Sequence, residues 1–117
     1  MQSSALGLDT RTVTFSRDVI AFCKAEPLTT VTRPLIDQLI RCATSVGANY
    51  AEANNAASKT DFKNKIFIAK KEAAEAKYWL ILISDVVSDK AACDRLTQDC
   101  QYLLMTLQKI ISTMNHR

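Results

Sequence analysis

The stretch from Ser58 to Ser88 constrains the fold of this chain more than any other. Phe62, Ile66, Ala69, Ala73, Ala76, Leu80, Ile83 and Val87 recur at alternating spacings of four and three. An a/d seam sustained in this way over more than three heptads predicts one long amphipathic helix. At about 1.5 Å per residue that helix runs roughly 43 Å. Its opposite side is apolar as well: Phe67, Ala74, Tyr78 and Ile81, joined by Ile68 and Leu82, form a second stripe. A helix apolar on two sides is either buried in the middle of a fold or covered by another subunit.

The rest of the chain follows the same helical logic. Only two glycines and two prolines occur among 117 residues, which removes most turn punctuation and favours a few long helices. With 48% hydrophobic residues, a single domain spanning 1–117 can build its core without staples. Residues 1 to about 9 are aperiodic and are expected to fray. Helix one is expected over about 10–25, with Phe15, Val19 and Phe22 on its inner face and Cys23 beside them. Pro27 disfavours helical geometry at Glu26 and sets the boundary. Helix two is expected over about 33–56, capped by Thr32 with Pro34 in its first turn. Its seam reads Ile36, Leu39, Ala43, Val46, Tyr50, Ala53 and Ala57, and Asp37 and Arg41 form an i,i+4 pair on its exposed side. Gly47, in a run of small residues, marks either a close helix crossing or a local kink.

Ser58 opens helix three, expected over about 59–87, in a capping box left imperfect because its fourth residue is Asp61. Helix four, expected over about 91–114, carries the seam Cys93, Leu96, Cys100, Leu103, Leu107, Ile110 and Met114. Four such helices joined by short connections predict an all-α, antiparallel up-down-up-down four-helix bundle.

Several function classes drop out. The one histidine, His116, is penultimate, so a triad or a histidine-based metal site has no basis. Gly7 and Gly47 are forty residues apart and make no phosphate loop. Glu72 and Glu75 are three apart, but no histidine accompanies them and neither lies on the seam, which argues against a di-iron site. No enzymatic activity, cofactor, metal or small-molecule substrate is expected. The four cysteines lack metal-ligand spacing and read as small buried hydrophobes in a reducing cytosol. Lys70, Lys71, Glu72, Glu75 and Lys77 interrupt the apolar run of helix three, so no membrane span is expected. The N-terminus lacks the basic and apolar regions of a signal peptide, and the expected location is cytoplasmic.

What remains is a surface. Asn49, Glu52, Lys70, Lys71, Glu72, Glu75 and Lys77 are either solvated faces of helices two and three, with a weak Lys71–Glu75 pair, or contacts that set the register of an assembly. Lys63, Lys70 and Lys77, with Lys59 one turn earlier, form a ridge beside the seam. That ridge is either a solubilising flank or a track for the phosphates of RNA or DNA. The net charge of +3 is far from the dense basic surface of a dedicated nucleic-acid binder. The second apolar stripe makes Phe67, Ile68, Ala74, Tyr78, Ile81 and Leu82 the expected oligomer interface.

The segment Leu35–Ile83, through TSVGANYAEA (Thr44–Ala53), SKTDF (Ser58–Phe62) and IAKKEAAEAKYWL (Ile68–Leu80), resembles the four-helix-bundle proteins associated with intervening sequences in bacterial 23S rRNA genes. The resemblance implies a small cytoplasmic protein with no established enzymatic activity that forms a ring-like homopentamer. Relatives similar in fold serve as accessory proteins of diversity-generating retroelements, where they bind nucleic acid and a reverse transcriptase; those are much more basic. By position, Asn49, Tyr50 and Glu52 match the helix-two motif, and Lys71, Glu72, Glu75, Tyr78 and Trp79 match the helix-three motif.

Overall fold

The computed structural model describes residues 4–115, with side chains from residue 7 onward; residues 1–3, His116 and Arg117 lie outside the described residues. Four helices account for most of them: α1 (Ser4–Ala25), α2 (Thr32–Asn54), α3 (Lys59–Ile83) and α4 (Lys90–Asn115). No strand occurs among the described residues. Their seams meet in one core that includes Phe15, Val19, Leu39, Val46, Ile66, Leu80, Leu103 and Leu107. None of the helices is long and apolar enough to cross a membrane.

α1 starts six residues before the expected position, at Ser4 rather than Thr10. The reason is a polar residue in the seam. Leu8, Thr12, Phe15, Val19 and Phe22 occupy one buried face at spacings of four and three, and Thr12 is buried like its apolar neighbours. Its hydroxyl donates to the Asp9 carbonyl at 3.0 Å, which makes the burial tolerable. Thr12 sits under Gly47 of α2: a Cβ at Gly47 would meet the Thr12 Cβ at 3.2 Å. Of the two readings of Gly47, the close crossing is the one observed.

The helix ends also differ from expectation. Thr29, not Thr32, caps α2: its hydroxyl accepts from the Val31 and Thr32 amides at 3.2 and 3.0 Å. Thr32 Oγ1 accepts in return from the Thr29 amide at 2.8 Å and donates to the Pro27 carbonyl at 2.9 Å. This is a reciprocal capping box built from two threonines. At its other end α2 stops at Asn54, which leaves Ala57 exposed outside the helix. α3 opens as expected, with Ser58 Oγ accepting from the Asp61 amide at 3.0 Å. It closes at Ile83 instead of Val87, where Val86 and Val87 both donate back to the Ile83 carbonyl. Its 25 residues span about 37 Å. Val87 still packs against the core, so its periodic position outlasts the helix. In α4 the buried residue of the last turns is Ile111, with Ile110 only half-buried.

Contacts between helices pair early residues of one with late residues of the next. Asn54 donates to Asp9 at 3.1 Å and Ser16 to the Ala43 carbonyl at 3.3 Å. Lys65 meets Glu52 at 2.8 Å. Cys93 and Cys100 donate to the carbonyls of Leu80 and Ala73 at 3.3 and 3.1 Å. α2 and α3 share the most extensive contact, and α1 with α4 the least. All four cysteines are free and buried. Burial pushes the thiols of Cys23 and Cys93 up to about 11 and those of Cys42 and Cys100 up to about 12, so none presents a thiolate.

Glu26 ties the two chain reversals together. Its buried carboxylate accepts from the Ser88 amide at 3.0 Å, the Ser88 hydroxyl at 2.9 Å and the Asp89 amide at 3.2 Å. Burial alone would raise its pKa, but these hydrogen bonds favour the charged form and hold it below 4.5. A folded-state value below the unfolded one stabilises the protein above the unfolded pKa and is lost as pH falls through the folded one. Glu26→Gln is therefore expected to cost about 1–3 kcal/mol at neutral pH. In denaturant unfolding, the gap between wild type and variant should close as pH drops below 4.5; a gap independent of pH would rule the carboxylate out as the source.

Candidate functional site

α3 carries its bulk on the outside. The inward positions Ala69, Ala73 and Ala76 are fully buried, whereas Phe67 is 42% exposed, Tyr78 55% and Ile81 51%. These three, with exposed Ala74 between them, lie along one strip of the helix. Ile68 and Leu82 are also exposed but fall nearer the α2 side. The structure thus places all six residues of the expected interface on the surface of the chain, in two strips rather than one.

The polar residues of the helix-two and helix-three motifs are mostly engaged within the chain. Arg41 of α2 reaches across to α3, its Nη2 bonding Glu75 Oε2 at 2.6 Å and its Nη1 lying 3.5 Å from Glu72 Oε1. The same Nη2 contacts Cys42 Sγ at 3.1 Å, and Gln38 completes the set. Neither the Asp37–Arg41 nor the Lys71–Glu75 pair forms, because the partner on the neighbouring helix lies closer to hand. Trp79 Nε1 donates to the same Glu75 oxygen at 3.0 Å. Tyr78 stands edge-on to Trp79, centroids 5.1 Å apart at 74°. Tyr50 is buried, Glu52 pairs with Lys65, and Asn49 turns back to Ser45 at 2.9 Å.

The Trp79, Cys42 and Arg41 contacts hold the Glu75 carboxyl below 4.5, outweighing the burial that would raise it. Cys42 Sγ and the carboxylates of Glu72 and Glu75 lie within 4.8 Å of one another, close enough to be metal donors. Arg41 occupies that space as the balancing cation, and the thiol is protonated. The arrangement suits a helix clamp more than a metal centre. Sequence reasoning does not place Arg41 and Cys42 in this cluster; the signal that could have found them is the α2–α3 register that also sets Glu52 against Lys65.

The lysines divide. Lys77 donates to Gln101 of α4 at 2.7 Å. Lys59, Lys63, Lys70 and Lys71 form no ion pair among the described residues. Because Glu72 and Glu75 turn toward α2, the outward strip of α3 is left apolar and cationic.

Residues 8–109 match the model of the 23S rRNA-intervening sequence proteins, and the chain belongs to that family. A solved structure from Bacteroides thetaiotaomicron VPI-5482, described as a protein of unknown function from the S23 ribosomal protein family, is similar to it. The two are 29% identical, with 89% of this chain and 97% of that one covered and a TM-score of 0.76. No curated protein matches.

Trp79 is the only tryptophan, so its fluorescence reports on the clamp. Protonating Glu75 turns the charge-assisted hydrogen bond that it accepts from the indole N–H into a weaker neutral one. A fluorescence transition is therefore expected below pH 4.5, absent in Glu75→Gln and shifted upward in Arg41→Met. A transition unmoved by either change would show that the indole does not sense this carboxylate.

Proposed function

We propose that this chain is a non-enzymatic subunit of a homo-oligomer, an antiparallel up-down-up-down four-helix bundle that closes into a ring through the outer face of α3. One observation carries the assembly: the exposed Phe67, Ala74, Tyr78 and Ile81 strip, larger in its side chains than the alanine seam behind it. Monomeric proteins seldom leave contiguous apolar patches of this kind in water. The opposed chain direction of the α1–α2, α2–α3 and α3–α4 contacts supports the bundle topology. Five copies per ring follows from the family resemblance of Leu35–Ile83. Four free, buried cysteines fit a reducing cytoplasm.

Light scattering at micromolar concentration is expected to give a multiple of the 13.0 kDa chain mass. Phe67→Glu, at an exposed position, should reduce that mass to one chain while leaving helical circular dichroism intact. A wild-type protein that runs as one chain would remove the reading.

A second reading, an accessory factor that binds structured RNA or DNA, is favoured by Lys59, Lys63, Lys70 and Lys71, which lack ion-pair partners among the described residues. Binding to structured RNA would weaken steeply with salt and fall in the Lys63/Lys70/Lys71→Ala variant. No binding at low salt excludes this role.

A further inference from the structure

The line where α1 and α4 meet is the least closely packed helix contact. Two clefts lie along it, of about 310 and 360 Å³. Asp18 and Asp99 border both, so the clefts adjoin at a pair of carboxylates. Neither aspartate makes an ion pair among the described residues. Arg11, the cation of the first cleft, lies over the Tyr102 ring at 4.4 Å. Arg95 lines the second cleft, where Asp89 and Glu26 add further carboxylates. Between these charges the cleft walls include edges of Phe15, Leu103, Phe22 and Leu96. The groove is apolar at its base and acidic in balance.

The outer face of α3 has the opposite character. Its aromatic and aliphatic side chains are flanked by Lys63, Lys70 and Lys71, and Glu72 and Glu75 of the same helix are turned away toward Arg41. The two surfaces are complementary in balance: protruding rings and an excess of cations on one, recesses and an excess of carboxylates on the other. We infer that the lysine-flanked face of α3 docks into the α1–α4 groove of a second copy of this chain, with Lys63 and Lys70 meeting Asp18 and Asp99. The inference rests on the assembly proposed above and names the surface that receives α3. Two different surfaces meet, so the contact is heterologous and can repeat around a ring; a two-fold pair would instead set α3 against α3 and bring the lysines together. Burial of Phe67 and Tyr78 supplies most of the affinity, and the charges set register and exclude the α3–α3 alternative.

Charge reversal tests the docking on the full chain. Asp18→Lys with Asp99→Lys, and separately Lys63→Glu with Lys70→Glu, are each expected to bring the mass measured by light scattering down to the 13.0 kDa of one chain. Helical circular dichroism should be retained. The chain carrying all four changes should regain the wild-type mass, which a merely misfolded variant could not do. If the wild type is oligomeric and Phe67→Glu splits it, but the Asp18/Asp99 reversal leaves the mass unchanged, the assembly stands and the groove is not its partner surface. If Lys63→Glu with Lys70→Glu stays assembled, the inference is overturned as well. A wild type that is one chain would instead remove the assembly itself.

Discussion

The structure depends on how little room α3 takes up on its inner side. Ala69, Ala73 and Ala76 are fully buried at its centre, where longer residues would hold the neighbouring helices apart. Short side chains let α4 come close enough for the Cys100 thiol to reach the Ala73 carbonyl at 3.1 Å. They also leave α2 near enough for Arg41 to span to Glu75. The same economy recurs at Gly47 and Thr12, where α2 crosses α1. Since the middle of the inner face of α3 is alanine, with Ile66, Leu80 and Ile83 toward its ends, much of the bulk of its central turns falls on the outside. Close internal packing and an exposed greasy face are two consequences of one distribution of side chains.

That distribution also sorts the charges. Glu72 and Glu75 are drawn to Arg41, and Lys65 to Glu52, so the α2–α3 edge is neutralised within the chain. The lysines on the far side of α3 form no ion pair among the described residues. Assembly through this face and nucleic-acid binding by it make opposite demands: docked lysines would be shielded from phosphates, and phosphate-bound lysines could not seat in a neighbour. The two readings are therefore separable by whether α3 is covered.

The core was legible from spacing alone. The α3 seam from Ile66 to Ile83 and the α4 seam from Cys93 to Leu107 are buried as their periodicity requires. The second stripe on α3 was equally legible, since helical geometry puts Phe67, Ala74, Tyr78 and Ile81 together whatever surrounds them. The errors fell where composition hides a seam or where the backbone turns. Thr12 interrupts the apolar count of α1 and concealed its first turns. Val87 keeps the rhythm of α3 after the helix has ended. Thr29 and Thr32 share a cap in which the sequence marks only Thr32, by the proline two residues on. Glu26, read as a mere helix stop, became a buried acceptor of three hydrogen bonds.

By itself the sequence determined that the chain is helical, where its four seams run, and that α3 is apolar on two sides. These are local properties, set by about 3.6 residues per turn and the order of side chains along one helix. Only the tertiary structure decided that Arg41 leaves Asp37 for Glu75, that Glu26 caps the turn before α4, and that α1 and α4 stand apart enough to leave an acidic groove. Such pairings depend on the register between helices distant in sequence. A difference of one helical turn, about 5.4 Å, would give each charge another partner while leaving every seam intact.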